Sequence, residues 1–120
     1  MLAATAAAFT ACGSSTEART APIVFGVTGG NIAPYHASIQ PNGGVRGAGH
    51  RQIPPARVRL LRHEIEQAHL ASRTCTGTLP DVASRYIRVG RRAVTVHGGC
   101  EASFQRVWND LAQAVGLRAG

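Results

Sequence analysis

Apolar residues recur along this chain with two different periods, and the switches between them divide it into elements. Between Pro22 and Thr28 the residues Ile23, Phe25 and Val27 share one side, the period-2 pattern of a half-buried strand. Gly29-Gly30-Asn31 tolerates the positive φ of a turn. A second alternating run follows, with Tyr35, Ala37 and Ile39 on one face and His36, Ser38 and Gln40 on the other. Pro41-Asn42-Gly43-Gly44 marks another turn, so Val45 and its neighbours are predicted to form a short third strand. The stretch from Gly47 to Gln52 reads as irregular. Pro54-Pro55 then opens a helix, because the N–H that proline lacks has no partner in a first turn. Val58, Leu61, Ile65 and Ala68 form its apolar stripe, with Arg59, Arg62, His63 and Glu66 off it. The helix is predicted to fade around Leu70 to Ser72, and Thr74 to Pro80 reads as a loop holding Cys75. Period 2 returns in Tyr86–Val89 and Arg92–His97. Between them Gly90 stands at the first central position of a two-residue loop, as a type II′ turn requires. Phe104, Val107, Trp108, Leu111 and Val115 mark a last amphipathic helix, stopped at Gly116.

The order is β-β-(β)-α-β-β-α. Each strand has one apolar face and each helix one apolar stripe. That pattern predicts an α+β two-layer sandwich: an antiparallel sheet of four to five strands with both helices on one face and its other face wet. The 120 residues divide into a start at 1–12, a Gly/Ser-containing tether at 13–21 and one domain at 22–117.

Charge adds a bias in partners. All thirteen basic side chains are Arg, against six acidic ones, for a net charge of +7. Part of this follows from GC-rich codon usage, which favours Arg over Lys, and the Arg residues then serve solvated surfaces. Whatever its origin, the charge favours acidic envelope polymers, anionic lipid headgroups or acidic protein faces. Nucleic acid is not an expected partner of an exported chain.

Export is expected from the N-terminus. Met1 to Ala11 is uncharged, small and apolar, ending Phe9-Thr10-Ala11 directly before Cys12, with Gly13-Ser14-Ser15 behind it. This resembles the lipobox of bacterial lipoproteins, whose cysteine receives a diacylglyceryl group and becomes the new N-terminus. The resemblance implies lipidation of Cys12 and a location anchored at the outer face of the cell membrane. Eleven residues with no positive charge are short against the roughly 15–30 of an export signal, which places the expected start upstream of Met1. Assigning Cys12 to lipid leaves Cys75 and Cys100 as an even pair in an oxidising compartment. A disulfide between them is one reading. A reactive thiol is the other, since His97 stands three residues before Cys100.

Other chemistry finds little support. His36, His50, His63, His69 and His97 match no metal-binding spacing, and the acidic residues form no cluster, so neither a metal nor a cofactor is expected. Gly26-Val27-Thr28-Gly29-Gly30 lacks the Gly-Lys-Ser/Thr ending of a phosphate loop and precedes a strand, which makes it a turn. Around the second hairpin, Arg88, Arg92, Thr95 and His97 form a candidate binding face for carboxylate or phosphate groups, with Arg85 and Arg91 close by.

The segments IVFGVTGGNIAPYHASIQPNGGV, IPPARVRLLRHEIEQAHLAS, LPDVASRYIRVGRRAVTVHGGC and FQRVWNDLAQAVG resemble a family of small lipoproteins of high-GC Gram-positive bacteria, over Ile23 to Gly116. More loosely, the layout is similar to the emfourin-type protease inhibitors. The shared features are an early Gly-Gly hairpin, a Leu-bearing helix, Asp81 and Tyr86 leading into a hairpin, and a closing helix. That resemblance implies a non-catalytic module that blocks an extracellular protease, and no inhibitory residue is carried over from it. The expected alternative is an envelope lipoprotein that binds anionic cell-wall polymer or lipid through its Arg-rich surface. In neither case is the chain expected to be an enzyme.

Overall fold

The run Ile23–Thr28 is apolar or small at five of its six positions, and it folds as the strand with a neighbour on each side. In the computed structural model, which describes residues 20–49 and 51–117, this strand is β1. It lies antiparallel to both β2 (Tyr35–Ile39) and β5 (Ser84–Val89). β3 (Val45–Gly47) extends the β2 edge, while β6 (Arg92–His97) pairs with β5 and carries β4 (Arg73–Thr74) outside it. The sheet therefore runs β3-β2-β1-β5-β6-β4. Among the described residues, the helices packed on this sheet are α1 (Pro55–Ala68) and α2 (Ala102–Ala114).

The α+β class holds, with one correction to the sheet. It has six strands rather than four to five and is mixed, because β4 runs parallel to β6. β4 falls within and just before the segment predicted as loop. Two residues are too few to show a period, and their pairing is made by tertiary contacts. The Thr95 N–H donates to Ser72 Oγ at 3.0 Å, and the Cys75 N–H donates to the His97 carbonyl at 2.8 Å. A segment returning from α1 is thereby held along the otherwise free edge of β6.

One face of the sheet packs on the helices. Ile23, Phe25 and Val27 of β1, Ala37 and Ile39 of β2, Ile87 of β5, and Val94 and Val96 of β6 are buried there. Val58, Leu61 and Ile65 of α1 and Phe104, Val107, Trp108 and Leu111 of α2 join them in one core. Trp108 is fully buried and packs edge-on against Phe25, with ring centroids 5.5 Å apart. Its indole N–H donates to the Gly26 carbonyl at 3.2 Å, so the donor is not stranded in the core.

The ends of the elements follow local chemistry. α1 stops at Ala68, two residues before the predicted fade at Leu70. His69 adopts a left-handed conformation (φ 48°), and the turn it makes delivers Leu70 into the core. α2 closes with a Schellman motif. The Leu117 N–H donates to the Ala112 carbonyl at 2.8 Å, and the N–H of Gly116 (φ 84°) donates to that of Gln113 at 3.1 Å. At the tip of the β5–β6 hairpin Gly90 has φ 60° and Arg91 does not, the pattern of the expected type II′ turn.

Cys75 and Cys100 are bonded, with Cα atoms 5.8 Å apart and a sequence separation of 25. The bridge ties the end of β4 to the segment that enters α2. Closing a loop of that size stabilises the fold by about 3–4 kcal/mol in the chain-entropy model. Cys12, Met1 to Ala11 and the tether as far as Arg19 lie outside the described residues, as does His50. Among the described residues no helix is long and apolar enough to cross a membrane.

Candidate binding site on the open sheet face

Side chains alternate across a strand, so each core residue fixes the outward direction of its neighbours. Applied through the register, this gives three rows across the open face. The first row runs Arg46, Ser38, Val24, Arg88, Ala93 from β3 to β6. In the second, His36, Gly26, Tyr86 and Thr95 stand side by side. Thr28, Ser84, His97 and Thr74 make up the third. Of the expected binding face, Arg88, Thr95 and His97 are brought together here. Arg92 is not. It pairs with Val89 on the helix side and donates from Nη2 to the Leu70 carbonyl at 3.0 Å. A two-residue hairpin places its flanking residues directly opposite each other. Arg92 therefore shares a side with Val89, and Arg88 shares one with Ala93.

The face has a marked chemistry. No strand contains Asp or Glu, whereas the open rows carry Arg46, Arg88, His36 and His97 among the hydroxyls of Ser38, Ser84, Thr28, Thr74 and Thr95. The described acidic residues stand elsewhere: Glu64 and Glu66 on α1, Asp110 on α2, Asp81 in the β4–β5 loop and Glu101 before α2. Arg46 and Arg88 are three strand spacings apart, about 14 Å at roughly 4.8 Å per spacing. That separation suits a ligand with repeated anionic groups better than one small anion. Val24, between Ser38 and Arg88, is the large apolar member of its row and only 8% exposed.

At the centre, Tyr86 lies opposite Gly26. A Cβ at Gly26 would sit 2.2 Å from the Tyr35 carbonyl oxygen and 2.9 Å from His36 Cα, so β2 curls over this point and leaves no room for a side chain. The result is a half-buried phenol ring beside a bare stretch of backbone, flanked by His36 and Thr95. Two shallow depressions border it. One of about 400 Å³ is lined by Ser72, Thr74, Ser84, Thr95 and His97, the other of about 410 Å³ by Thr28, Tyr35, His36 and Tyr86. His97 is held in place by a 2.9 Å hydrogen bond between Nε2 and the Val82 carbonyl.

Sequence reasoning missed Arg46, His36, Ser84 and Tyr86 as members of this face. Tyr86 and Arg88 stand two apart on one strand, and that alternation could have joined them. The addition of Arg46 needs the β2–β3 register, which only the folded chain supplies. With Cys75 and Cys100 bonded, neither sulfur is a thiolate nucleophile, and His97 faces a carbonyl rather than a thiol. Among the described residues no group of three or more His, Cys, Asp or Glu is placed to hold a metal ion.

The helix layer contrasts with this in charge. On its outer side Glu64 of α1 hydrogen-bonds Asp110 of α2. Burial, that bond and the Asp110 charge raise its carboxyl to a pKa of about 7, against the opposing pull of Arg106 and Arg57. No protein-family model matches this chain, and no curated protein or solved structure is significantly similar to it.

Proposed function

We propose that this is an exported, lipid-anchored protein whose folded domain is a non-catalytic binding module for an anionic envelope polymer, gripped by the open face of the sheet. The observation that carries the reading is the absence of carboxylates from all six strands, together with Arg46, Arg88, His36 and His97 on one side of them. Guanidinium groups suit phosphate and carboxylate oxygens because their N–H donors form planar forks. Tyr86 beside Gly26 offers a flat apolar surface for the sugar or glycerol backbone that joins such groups. The disulfide supports an oxidising compartment. Anchoring at Cys12 would hold the domain at the membrane surface, where such polymers lie.

Binding to immobilised poly(glycerol phosphate) tests this, with neutral dextran as the control and an Arg46→Ser/Arg88→Ser variant alongside. Retention of the wild type that falls as salt rises, and is lost in the variant, is the expected result, since exposed charges are screened beyond about 8 Å at physiological ionic strength. Equal retention of both proteins, or equal retention on dextran, would remove the reading.

A second reading has its own observation. Three large apolar side chains are exposed on the loops at one end of the sheet: Ile32 at 52%, Leu79 at 64% and Val82 at 44%. Their loops are joined by a hydrogen bond from the Asn31 N–H to the Asp81 carbonyl at 3.1 Å. Such an end suits docking to an extracellular protease, as the emfourin-like layout implies. A complex centred on buried apolar contacts should persist in salt that strips the polymer. Salt-resistant inhibition in a panel of thermolysin-like and serine proteases, abolished by Ile32→Asp/Val82→Asp, would favour it. Full protease activity in the presence of micromolar domain would end it.

A further inference from the structure

A separate site lies on the helix side of the sheet, and it faces a different ligand chemistry. Arg85 is placed there by alternation, since it pairs with Val27 on one side and Val96 on the other, both core residues. An arginine directed toward a core needs a partner, and Arg85 finds it in an aromatic face. Its guanidinium carbon lies 4.4 Å from the ring centroid of the buried Trp108. A cation–π contact is not a hydrogen bond, so it leaves N–H donors of the guanidinium available. Among the described residues Arg85 has no carboxylate within 4.0 Å and no side-chain hydrogen bond. Arg73–Glu101 is the ion pair that those residues do form.

The free edge of Arg85 opens into a cleft of about 510 Å³, the size of a small-molecule site. Ile32, Tyr35 and Val82 give it apolar walls, and Asp81 stands among its lining residues. We infer that this cleft binds a monocarboxylate carried on a small apolar body, such as the C-terminal carboxylate of a short peptide, with Arg85 taking the carboxylate edge-on. Two features select this ligand class. A guanidinium held against the Trp108 ring is a pre-positioned fork, which matches the two oxygens of a carboxylate. Asp81 adds a negative charge beside the opening, which weakens the hold on any anion and does so more with each charge the ligand carries, so the multiply charged polymer is left to the open face. Both sites border on Tyr35, but the inference does not rest on that polymer reading, because Arg85 lies on the helix side of the sheet and Arg46 and Arg88 on the open side.

Trp108 is the single tryptophan of the chain, so its fluorescence reports events at the guanidinium stacked on it. The full chain is titrated with N-acetyl-Ala-Ala, its C-terminal amide, inorganic phosphate and N-acetyl-Glu α,γ-diamide, whose carboxylate is replaced by neutral groups. Expected is a saturable fluorescence change with the free acid, at least tenfold weaker with each of the other three. Arg85→Met, checked for folding by circular dichroism, should lose the response by tenfold or more. Ile32→Glu provides a second variant. This side chain is half exposed, so a new charge there leaves the core untouched and should repel the carboxylate. No saturable response to the free acid, equal responses to acid and amide, equal or tighter binding of phosphate, or unchanged binding in a folded Arg85→Met or Ile32→Glu protein would each overturn the inference.

Discussion

The two sides of the sheet put the same residue type to opposite uses. On the helix side, arginines at the sheet are fixed by contacts within the fold: Arg85 lies over the Trp108 ring and Arg92 donates to the Leu70 carbonyl. The arginines of α1 and α2 share their surface with Glu64, Glu66 and Asp110, so that layer is mixed in charge. On the open side Arg46 and Arg88 stand in one row with no carboxylate on any strand. The difference teaches that net charge says less than its distribution. A surplus of seven positive charges spread evenly would be a solubility device, whereas an acid-free face concentrates positive potential on one surface. Substitutions in the helix-side core should therefore act on stability, and those on the open side on polymer binding.

The largest effect is expected in the core. Trp108→Ala removes the fully buried indole that meets Phe25, Arg85 and the Gly26 carbonyl, and should cost about 3–5 kcal/mol in urea denaturation. A loss under 1 kcal/mol would mean that the helix side is not organised around this residue. Next comes the staple. Cys100→Ser should cost about 2–5 kcal/mol, and intact-mass measurement after alkylation should find neither Cys75 nor Cys100 modified in the native protein. Two alkylated thiols at these positions would contradict the bridge.

A smaller effect distinguishes the sides by pH. The Glu64 carboxyl is raised from 4.5 to about 7 in the folded state, so the native protein holds this proton more tightly than the unfolded chain does. The sign is that stability falls as pH rises from about 4.5 to about 7, and is flat on either side as far as this group is concerned. For a pair only half-buried, solvent screening brings the contribution down to the order of 1 kcal/mol. Glu64→Gln, which cannot ionise, should flatten the melting temperature between pH 5 and pH 7.5. An unchanged pH slope would break the account of the Glu64–Asp110 contact. The smallest effect belongs to the open face. Arg88→Ala should change stability by no more than about 0.5 kcal/mol, as surface substitutions generally do. A loss of 2 kcal/mol would show that Arg88 is structural like Arg92.

How much of this was legible in the chain follows from which forces act locally. The stripes of α1 and α2, the Gly90 turn and the alternation of β1, β2, β5 and β6 are local patterns, and each appears at its expected place. β4 was not legible, because Arg73 and Thr74 pair only through contacts with a strand more than twenty residues away. α1 ends earlier than its periodicity predicts because His69 takes a left-handed conformation, which is uncommon outside glycine and has no signature in the apolar pattern. In the binding face, Arg88, Thr95 and His97 were readable from alternation. Arg92 was assigned by proximity to a turn, and the hairpin register moves it to the other side. His36, Tyr86 and Arg46 come from three different strands, so their convergence is a property of the sheet and not of any one segment.

The most direct test is a residue-resolved titration of the ¹⁵N-labelled domain with poly(glycerol phosphate) at low salt. Amide shift changes should concentrate at Arg46, His36, Tyr86, Arg88, Thr95 and His97, and leave α1 and the Arg85 cleft unmoved. Changes centred on Ile32 and Val82, spread over α1 and α2, or absent altogether would contradict the assignment of polymer binding to the open face.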